Sequence, residues 1–129
     1  MYNWYAIHTN ELAPEGWHVP TDSEWTKLVT FIGDETNAGG KLKEAGFTHW
    51  KDPNEGATNE SGFFALPGGF RDNQDGAFLY IGGSGSWWSS TNYDFDNSWS
   101  LGMSCVVSGV FRALNNVVRG MSVRCVRDY

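Results

Sequence analysis

The clearest local pattern in the chain is an amphipathic helix that begins at Thr21. Glu24 follows three residues later, which is the spacing of a capping box, where each of the two side chains pairs with a free backbone N–H of the other residue. Apolar residues then recur at intervals of three and four, as on one face of a helix. They are Trp25, Leu28, Val29 and Ile32. Gly33 is a natural helix end, so one helix is predicted within residues 21–33.

The other predicted elements are short. A second helix is predicted over Ala38–Ala45, although Gly39 and Gly40 each weaken it by about 1 kcal/mol relative to Ala. Turn-forming residues dominate Thr48–Gly69, which is predicted to be mostly loop. Short strands, several with alternating apolar and polar residues, follow at Phe78–Ile81, Gly85–Ser90, Ser98–Met103, Val106–Phe111 and Met121–Arg127. Early helices followed by a run of strands predict an α+β domain.

Length and charge narrow the functional classes. The 129 residues contain no repeat, low-complexity tract or linker, so residues 1–129 are predicted to form a single domain. A formal net charge of −6 disfavours nucleic acid and anionic membranes as partners. No stretch approaches the roughly 18 apolar residues that insert across a bilayer. The N-terminus lacks the features of a secretion signal, which leaves export by another route or earlier removal of a leader.

Seven motifs follow one another in order along almost the whole chain. They are Tyr2–Tyr5, Gly16–Trp25, Gly39–Lys43, Ala57–Phe63, Ala65–Arg71, Trp87–Thr91 and Ser122–Asp128. Together they resemble the Fibrobacter succinogenes major paralogous domain, which is common in surface proteins of Bacteroidetes and their phages. The resemblance implies a C-type lectin-like fold, with two helices, small twisted antiparallel sheets and long loops. It also implies a location outside the cell, on a bacterial surface or a virion.

That family is similar to formylglycine-generating enzymes, which bind copper through two Cys close together near the C-terminus. Here Cys105 and Cys125 fall in different predicted strands, and only Cys125 lies in a motif that resembles the enzyme. Ser89 and Ser90 lie outside any nucleophile elbow, and no pair of His has the spacing of metal ligands. The sequence therefore predicts no enzyme, no cofactor and no metal.

Two Cys do not make a disulfide framework, and they leave the redox compartment open. Cys105 and Cys125 are predicted to be free thiols of small hydrophobic character, and a disulfide between neighbouring strands is the alternative. His18 is predicted to be a hydrogen-bonded residue in the turn before the first helix. Asp94 and Asp96 could supply oxygen ligands to Ca²⁺. Trp99, however, is followed by Ser100 and not by the Asn-Asp pair of calcium-dependent lectins, so no Ca²⁺-dependent sugar site is predicted.

The resemblance implies recognition through loops and strand faces of the C-terminal half, carried by a rigid frame. The motif-like sequence stops at Asn92 and resumes at Gly120. The segment between them resembles the diversified segments of variable proteins of diversity-generating retroelements, with Asn115 and Asn116 as surviving template-like residues. The predicted ligand-binding residues are Tyr93, Asp94, Phe95, Asp96, Ser100, Gly102, Ser104, Val106, Val107, Phe111, Ala113 and Leu114.

The predicted apolar anchors are Tyr93, Phe95, Phe111 and Leu114, and orienting charge is predicted to come from Asp94, Asp96 and, outside this set, Arg112. The Tyr93–Asp96 segment is predicted to be an exposed loop, whereas core and binding face remain equal alternatives for Val106, Val107 and Phe111. The predicted partner is a protein or glycan on a cell surface. A purely structural domain and a formylglycine-generating-type enzyme are the alternative functions, and the sequence indicates no oligomeric state.

Overall fold

The computed structural model describes residues 1–129, which contain three helices and seven short strands. In chain order they are α1 (Trp4–His8), β1 (Trp17–His18), α2 (Asp22–Ile32), α3 (Ala38–Leu42), β2 (Phe70–Arg71), β3 (Phe78–Leu79), β4 (Ser84–Asn92), β5 (Asn97–Ser104), β6 (Val110–Asn116) and β7 (Val126–Arg127). The strands form three antiparallel sheets, which pair β1 with β7, β2 with β3, and β4 with β5 and β6. The α+β prediction is confirmed, with three helices instead of two. None of them has the length and hydropathy needed to cross a membrane.

Helix α2 is confirmed together with its capping box. The Thr21 hydroxyl accepts a hydrogen bond from the Glu24 backbone N–H at 3.1 Å, and the Glu24 carboxylate accepts one from the Thr21 N–H at 3.1 Å. The helix ends at Ile32, directly before Gly33. Its buried residues, Trp25 and Val29, lie on the predicted apolar face. Local sequence thus predicts both the limits and the buried face of this element.

The central sheet consists of β4, β5 and β6 and separates two hydrophobic cores. Trp87 and Trp88 are neighbours in β4, so their side chains point to opposite faces of the sheet. Trp87 joins the larger core beneath α2 and α3, together with Trp25, Leu42, Trp50, Leu101 and Met103 among others. Trp88 joins the smaller core, which contains Trp4, Ile7, Val19, Val117 and Met121. The protein is thus organised around a sheet that is covered on both faces, although only partly on the second.

Helix α3 and the loop between β5 and β6, residues 105–109, pack closely against each other. A Cβ atom on Gly39 would lie 2.1 Å from the Gly109 carbonyl oxygen, so only glycine permits this approach. The Lys43 side chain is fully buried, and its ammonium donates to the carbonyls of Glu55, Ser104 and Val107, each at 2.9 Å. Burial lowers the pKa of Lys43, and the nearby Cys105 and Glu55 oppose that effect. The ammonium therefore fastens the loop to the scaffold.

This anchoring explains the largest error of the sequence-based prediction. A strand was predicted over Val106–Phe111, but the strand is Val110–Asn116, and residues 105–109 turn instead. The apolar pair Val106-Val107 is typical of a strand. The Lys43 ammonium nevertheless binds the Val107 carbonyl, although the two residues are 64 positions apart in the sequence. Long-range contacts of this kind overrule local strand propensity.

Other differences concern the ends of elements. Helix α3 ends at Leu42, because Lys43 takes an extended conformation, and the predicted strand over Met121–Arg127 is reduced to its last two pairing residues. Helix α1 was not predicted, since a single turn offers no periodicity, and neither were the two-residue strands β1 and β2. Strands β4 and β5 each extend slightly beyond their predicted limits. The loop over Thr48–Gly69 is confirmed, with only isolated bridges at Ala65 and Gly69.

Candidate functional site

An open cleft of about 510 Å³ lies on the central sheet, on the face that carries Trp88. Its floor consists of small residues from all three strands. They are Ser84, Ser86, Ser100, Gly102, Ser104 and Ala113. The register places Ser86 opposite Gly102 and Ser100 opposite Ala113, so these positions form continuous cross-strand rows. We call this surface the sheet cleft.

The ring of Phe111 lies across the floor of the sheet cleft. Phe111 pairs with Gly102, and a Cβ atom on Gly102 would lie 2.3 Å from the edge of the Phe111 ring. The missing side chain therefore lets the ring pack directly against β5 while 44% of Phe111 stays exposed. Val106, which is 63% exposed, lines the cleft from the loop between β5 and β6. Both apolar groups are available to a ligand.

The opposite wall of the sheet cleft is a stack of aromatic and cationic groups. The Phe70 and Tyr80 ring centroids lie 5.6 Å apart, and the Arg119 guanidinium carbon lies 4.4 Å from the centroid of the Phe70 ring. Arg119 is the only charged residue among those that line the cleft. A guanidinium over an aromatic face combines a cation with a flat apolar surface.

A chain of hydrogen bonds links Arg119 to the cleft floor. Arg119 donates to the Asn115 side-chain oxygen at 2.7 Å, and the Asn115 amide donates to the Ser100 hydroxyl at 2.7 Å. Ser100 in turn donates to the Ala113 carbonyl at 3.1 Å. Each side chain in this row donates one hydrogen bond to the next group. The polar end of the cleft is therefore ordered before any ligand binds.

The structure brings together half of the predicted ligand-binding residues. Those that line the sheet cleft are Ser100, Gly102, Ser104, Val106, Phe111 and Ala113. Val106, Val107 and Phe111 are all exposed, which decides between core and surface for these three residues. Val107 nevertheless lies outside the cleft, in the loop that Lys43 anchors.

The predicted exposure of Tyr93–Asp96 is confirmed, but these residues lie outside the sheet cleft. They form the turn between β4 and β5, beyond the Asn97–Asn116 pair. The Asp94 carboxylate accepts hydrogen bonds from the backbone N–H groups of Asp96 and Asn97, at 2.9 and 2.8 Å. Asp94 therefore shapes the turn, whereas Phe95 projects from it with 90% of its surface exposed.

Leu114 and Arg112 lie on the opposite face of the sheet from the cleft. They alternate along β6 with Phe111 and Ala113, so the side chain of Arg112 points toward α2. Arg112 forms an ion pair with Asp22 at 2.7 Å, and its guanidinium carbon lies 3.3 Å from the centroid of the Trp99 ring. The Asp22 hydrogen bond, opposed by partial burial, raises the pKa of Arg112. Arg112 therefore joins the sheet to the start of α2.

The part of the cleft that precedes residue 92 was not predicted from the sequence. The missed residues include Phe70, Tyr80, Ser84, Ser86 and, at the other end, Arg119. A signal existed for the two serines, because in a strand Ser84 and Ser86 alternate with residues that point into the larger core. The aromatic wall comes from a hairpin that is distant in sequence, and no local pattern indicates it.

Both thiols are free, as predicted. Cys105 lines the sheet cleft and belongs to the larger core, whereas Cys125 borders the smaller core, and burial raises the pKa of its thiol. A raised pKa keeps the thiol protonated and weakly nucleophilic. No group of three or more His, Cys, Asp or Glu has an arrangement that could hold a metal ion.

His18 is hydrogen-bonded, as predicted, but it lies in strand β1 and not in a loop. One ring nitrogen contacts the Asp128 carboxylate and the other contacts Glu24 at 2.8 Å. The bonds to Asp128 and then Glu24 raise the pKa of His18. Burial by itself raises the pKa of Glu24, but the bonds from His18 and Thr21 outweigh it, and the net shift is downward. This triad joins β1 to α2 and the C-terminal residues.

The architecture and the cleft define a small α+β domain whose framework of aromatic residues carries an open, partly polar surface on one sheet face. A family model described as the Fibrobacter succinogenes major domain matches residues 1–127, and the chain belongs to this family. No curated protein matches the chain. No solved structure matches it either.

Proposed function

We propose that the protein is a non-enzymatic ligand-binding module of C-type lectin-like fold and that the sheet cleft is its recognition surface. The observation that carries this proposal is the open floor of the cleft. Phe111 is exposed and Ala113 is half-buried on the edge strand β6, and neither residue belongs to a hydrophobic core. A fold that needed this face for stability would cover it with apolar side chains.

The lining of the sheet cleft favours a glycan over other cell-surface ligands. Serine hydroxyls both donate and accept hydrogen bonds, as sugar hydroxyls do, and four serines line this surface. The rings of Phe70, Tyr80 and Phe111 offer flat apolar faces to the C–H groups of a sugar ring. We place such a ligand on a cell surface and the protein outside the cell, on a bacterium or a virion.

The Tyr93–Asp96 turn is a separate exposed surface, and a large ligand reaching over the edge of the sheet could contact it through Phe95. We further propose that residues 92–119 vary among relatives through a diversity-generating retroelement. Within this segment, Leu101, Met103 and Val117 are buried in the cores and should stay constant, whereas the cleft positions should vary. Sequencing the locus across isolates tests this pattern, and uniform variation over core and cleft positions contradicts it.

A binding screen tests the proposed function. Labelled protein is applied to an array of bacterial cell-envelope glycans in buffer with EDTA, beside the Ala113→Trp variant. Ala113 is half-buried on the cleft floor, so an indole there fills the space that a ligand needs. We expect binding by the natural protein without Ca²⁺ and about a tenfold or greater loss in the variant, with an unchanged Tm. Absence of any binding supports a structural domain, and equal binding by the folded variant rejects the sheet cleft.

A further inference from the structure

A second pocket, of about 500 Å³, lies between α2 and the β1–β7 pair and shares no lining residue with the sheet cleft. Its lining combines three cations with large apolar side chains. They are Lys27, Arg124 and Arg127 with Trp17, Trp25 and Phe63. Trp25 belongs to the larger core, and 44% of Trp17 is exposed. We call this surface the basic pocket.

The three cations of the basic pocket have no acidic partner. Every ion pair of the protein involves other residues, and the one carboxylate side chain that lines this pocket, Glu24, already binds His18 and Thr21. Arg124 lies 4.2 Å from the Phe63 ring and donates one hydrogen bond, at 2.9 Å, to the Phe63 carbonyl. A guanidinium has five N–H donors, so most of its capacity remains free.

Three unpaired cations in one pocket are unusual for a protein with a net negative charge. The protein has 9 Lys and Arg against 15 Asp and Glu, yet a third of these cations surround one apolar depression. Unpaired cations around an apolar surface attract an anion that also carries an apolar group. The pocket therefore has charge complementarity to an acidic, amphiphilic ligand.

The lining also distinguishes between ligand classes. No Ser, Thr, Asn or Gln lines the basic pocket, in contrast to the sheet cleft, so the hydroxyls of a sugar find few partners there. The cations come from three places, with Lys27 on α2, Arg127 on β7 and Arg124 on the segment before β7. Cations spread around the rim suit several carboxylates that flank one apolar group, whereas a fatty acid has a single carboxylate at one end.

We propose that the basic pocket binds an acidic peptide segment with one large apolar side chain. The apolar side chain contacts Trp25 and Phe63, and acidic residues on either side of it pair with Lys27, Arg124 and Arg127. Arg124 offers a bidentate donor face to a carboxylate. This site is independent of the sheet cleft, so the protein can bind a peptide partner and a cell-surface ligand at the same time.

Titration with short peptides tests this proposal. The probes are three capped pentapeptides with two Glu on each side of a central Leu, Phe or Trp, and matched peptides with Gln in place of Glu. Binding is followed by calorimetry and by the NMR signals of the Trp17 and Trp25 indole N–H groups. We expect at least one Glu peptide to bind, to shift both indole signals and to weaken as salt rises, and the Gln peptides to bind at least about tenfold more weakly.

Charge-reversal variants locate the site. Lys27→Glu, alone and with Arg127→Glu, exchanges exposed side chains that form no ion pairs, and Lys51→Glu is the matched control outside the pocket. We expect a loss of a few-fold for Lys27→Glu, about tenfold for the double variant and no change for Lys51→Glu.

Three results overturn the proposal. The first is the absence of binding by all three Glu peptides. The second is an equal loss of affinity in the Lys51→Glu control. The third is binding of decanoate or polygalacturonate at this pocket with higher affinity than any peptide. None of these results bears on the sheet cleft, whose own test uses glycans.

Discussion

Lys43 connects the core of the protein to the rim of the sheet cleft. Its side chain is fully buried, and three carbonyl oxygens accept hydrogen bonds from its ammonium. Two of these carbonyls, those of Ser104 and Val107, flank the cleft residue Val106. The position of Val106 is therefore set by a residue that follows helix α3 and lies outside the cleft.

Lys43→Met is expected to reduce the free energy of unfolding by about 2–4 kcal/mol. Methionine fills a similar volume but leaves three carbonyls without their charged donor. Urea unfolding measures this loss, and Lys51→Met serves as the control, because Lys51 is exposed and the effect there should stay within about 0.5 kcal/mol. Equal stability of the two variants would show that water replaces the ammonium at no cost.

Asp94 and Phe95 are neighbours in one exposed turn, yet they have different roles. Asp94→Ala removes the acceptor of two backbone N–H groups, and we expect it to lower stability by about 1 kcal/mol. Phe95→Ala removes a side chain that is 90% exposed, and its effect should lie within about 0.5 kcal/mol. Thermal unfolding of both variants measures the difference. A larger loss for Phe95→Ala contradicts the described turn.

At the scale of helices and strands, the triad of His18, Glu24 and Asp128 makes the attachment of β1 to α2 and to the C-terminal residues depend on pH. A raised pKa means that the folded protein favours protonated His18, whose two ring N–H groups then donate to Asp128 and Glu24. This stabilisation is fully present below the ordinary pKa of 6.5 and is lost as pH rises through the raised value. The lowered pKa of Glu24 limits this stabilisation at acid pH. The contribution of Glu24 is present above its ordinary pKa of 4.5 and is lost as pH falls through the lowered pKa.

His18→Gln is therefore expected to cost more stability near pH 5.5 than near pH 8.5, on either side of the ordinary pKa of about 6.5. The difference should be about 1 kcal/mol or less, because His18 is more than a third exposed and solvent screens its partners. Urea unfolding of both proteins at the two pH values measures it. Asp128→Asn should reduce the same pH dependence by removing the first partner. An identical cost of His18→Gln at both pH values contradicts the role of the triad.

The helices and strands also show how much of the fold the sequence predicts. Helix α2 was predicted because its cap, apolar face and end are all encoded within residues 21–33. Strand β6 was misplaced because Lys43, far away in sequence, holds the segment around Val106 in a turn. Helix α1 was missed because its single turn depends on tertiary contacts, including the Trp4 indole bond to the Ser89 carbonyl at 3.0 Å. Local patterns predict elements whose start, apolar face and end are encoded in one segment, and packing determines the rest.

Across the entire protein, the two faces of the central sheet explain why the candidate site was only half predicted. The sequence indicated the segment after residue 92, and six of its predicted residues line the sheet cleft. Alternation along β6 sends Leu114 to the opposite face, although it is as apolar as Phe111. The Phe70–Tyr80 wall joins the site only through folding. A surface built from distant segments cannot be located from a single stretch of sequence.

The two faces of strand β6 also provide the sharpest test of the sheet cleft as the recognition surface. Phe111→Ser and Leu114→Ser change apolar residues of the same strand with similar exposure, 44% and 38%, but only Phe111 lies in the sheet cleft. Affinity for a glycan identified on the array is measured for both variants after each is shown to fold. We expect about a tenfold or greater loss for Phe111→Ser and unchanged affinity for Leu114→Ser. Retained affinity in Phe111→Ser together with a loss in Leu114→Ser would contradict the assignment.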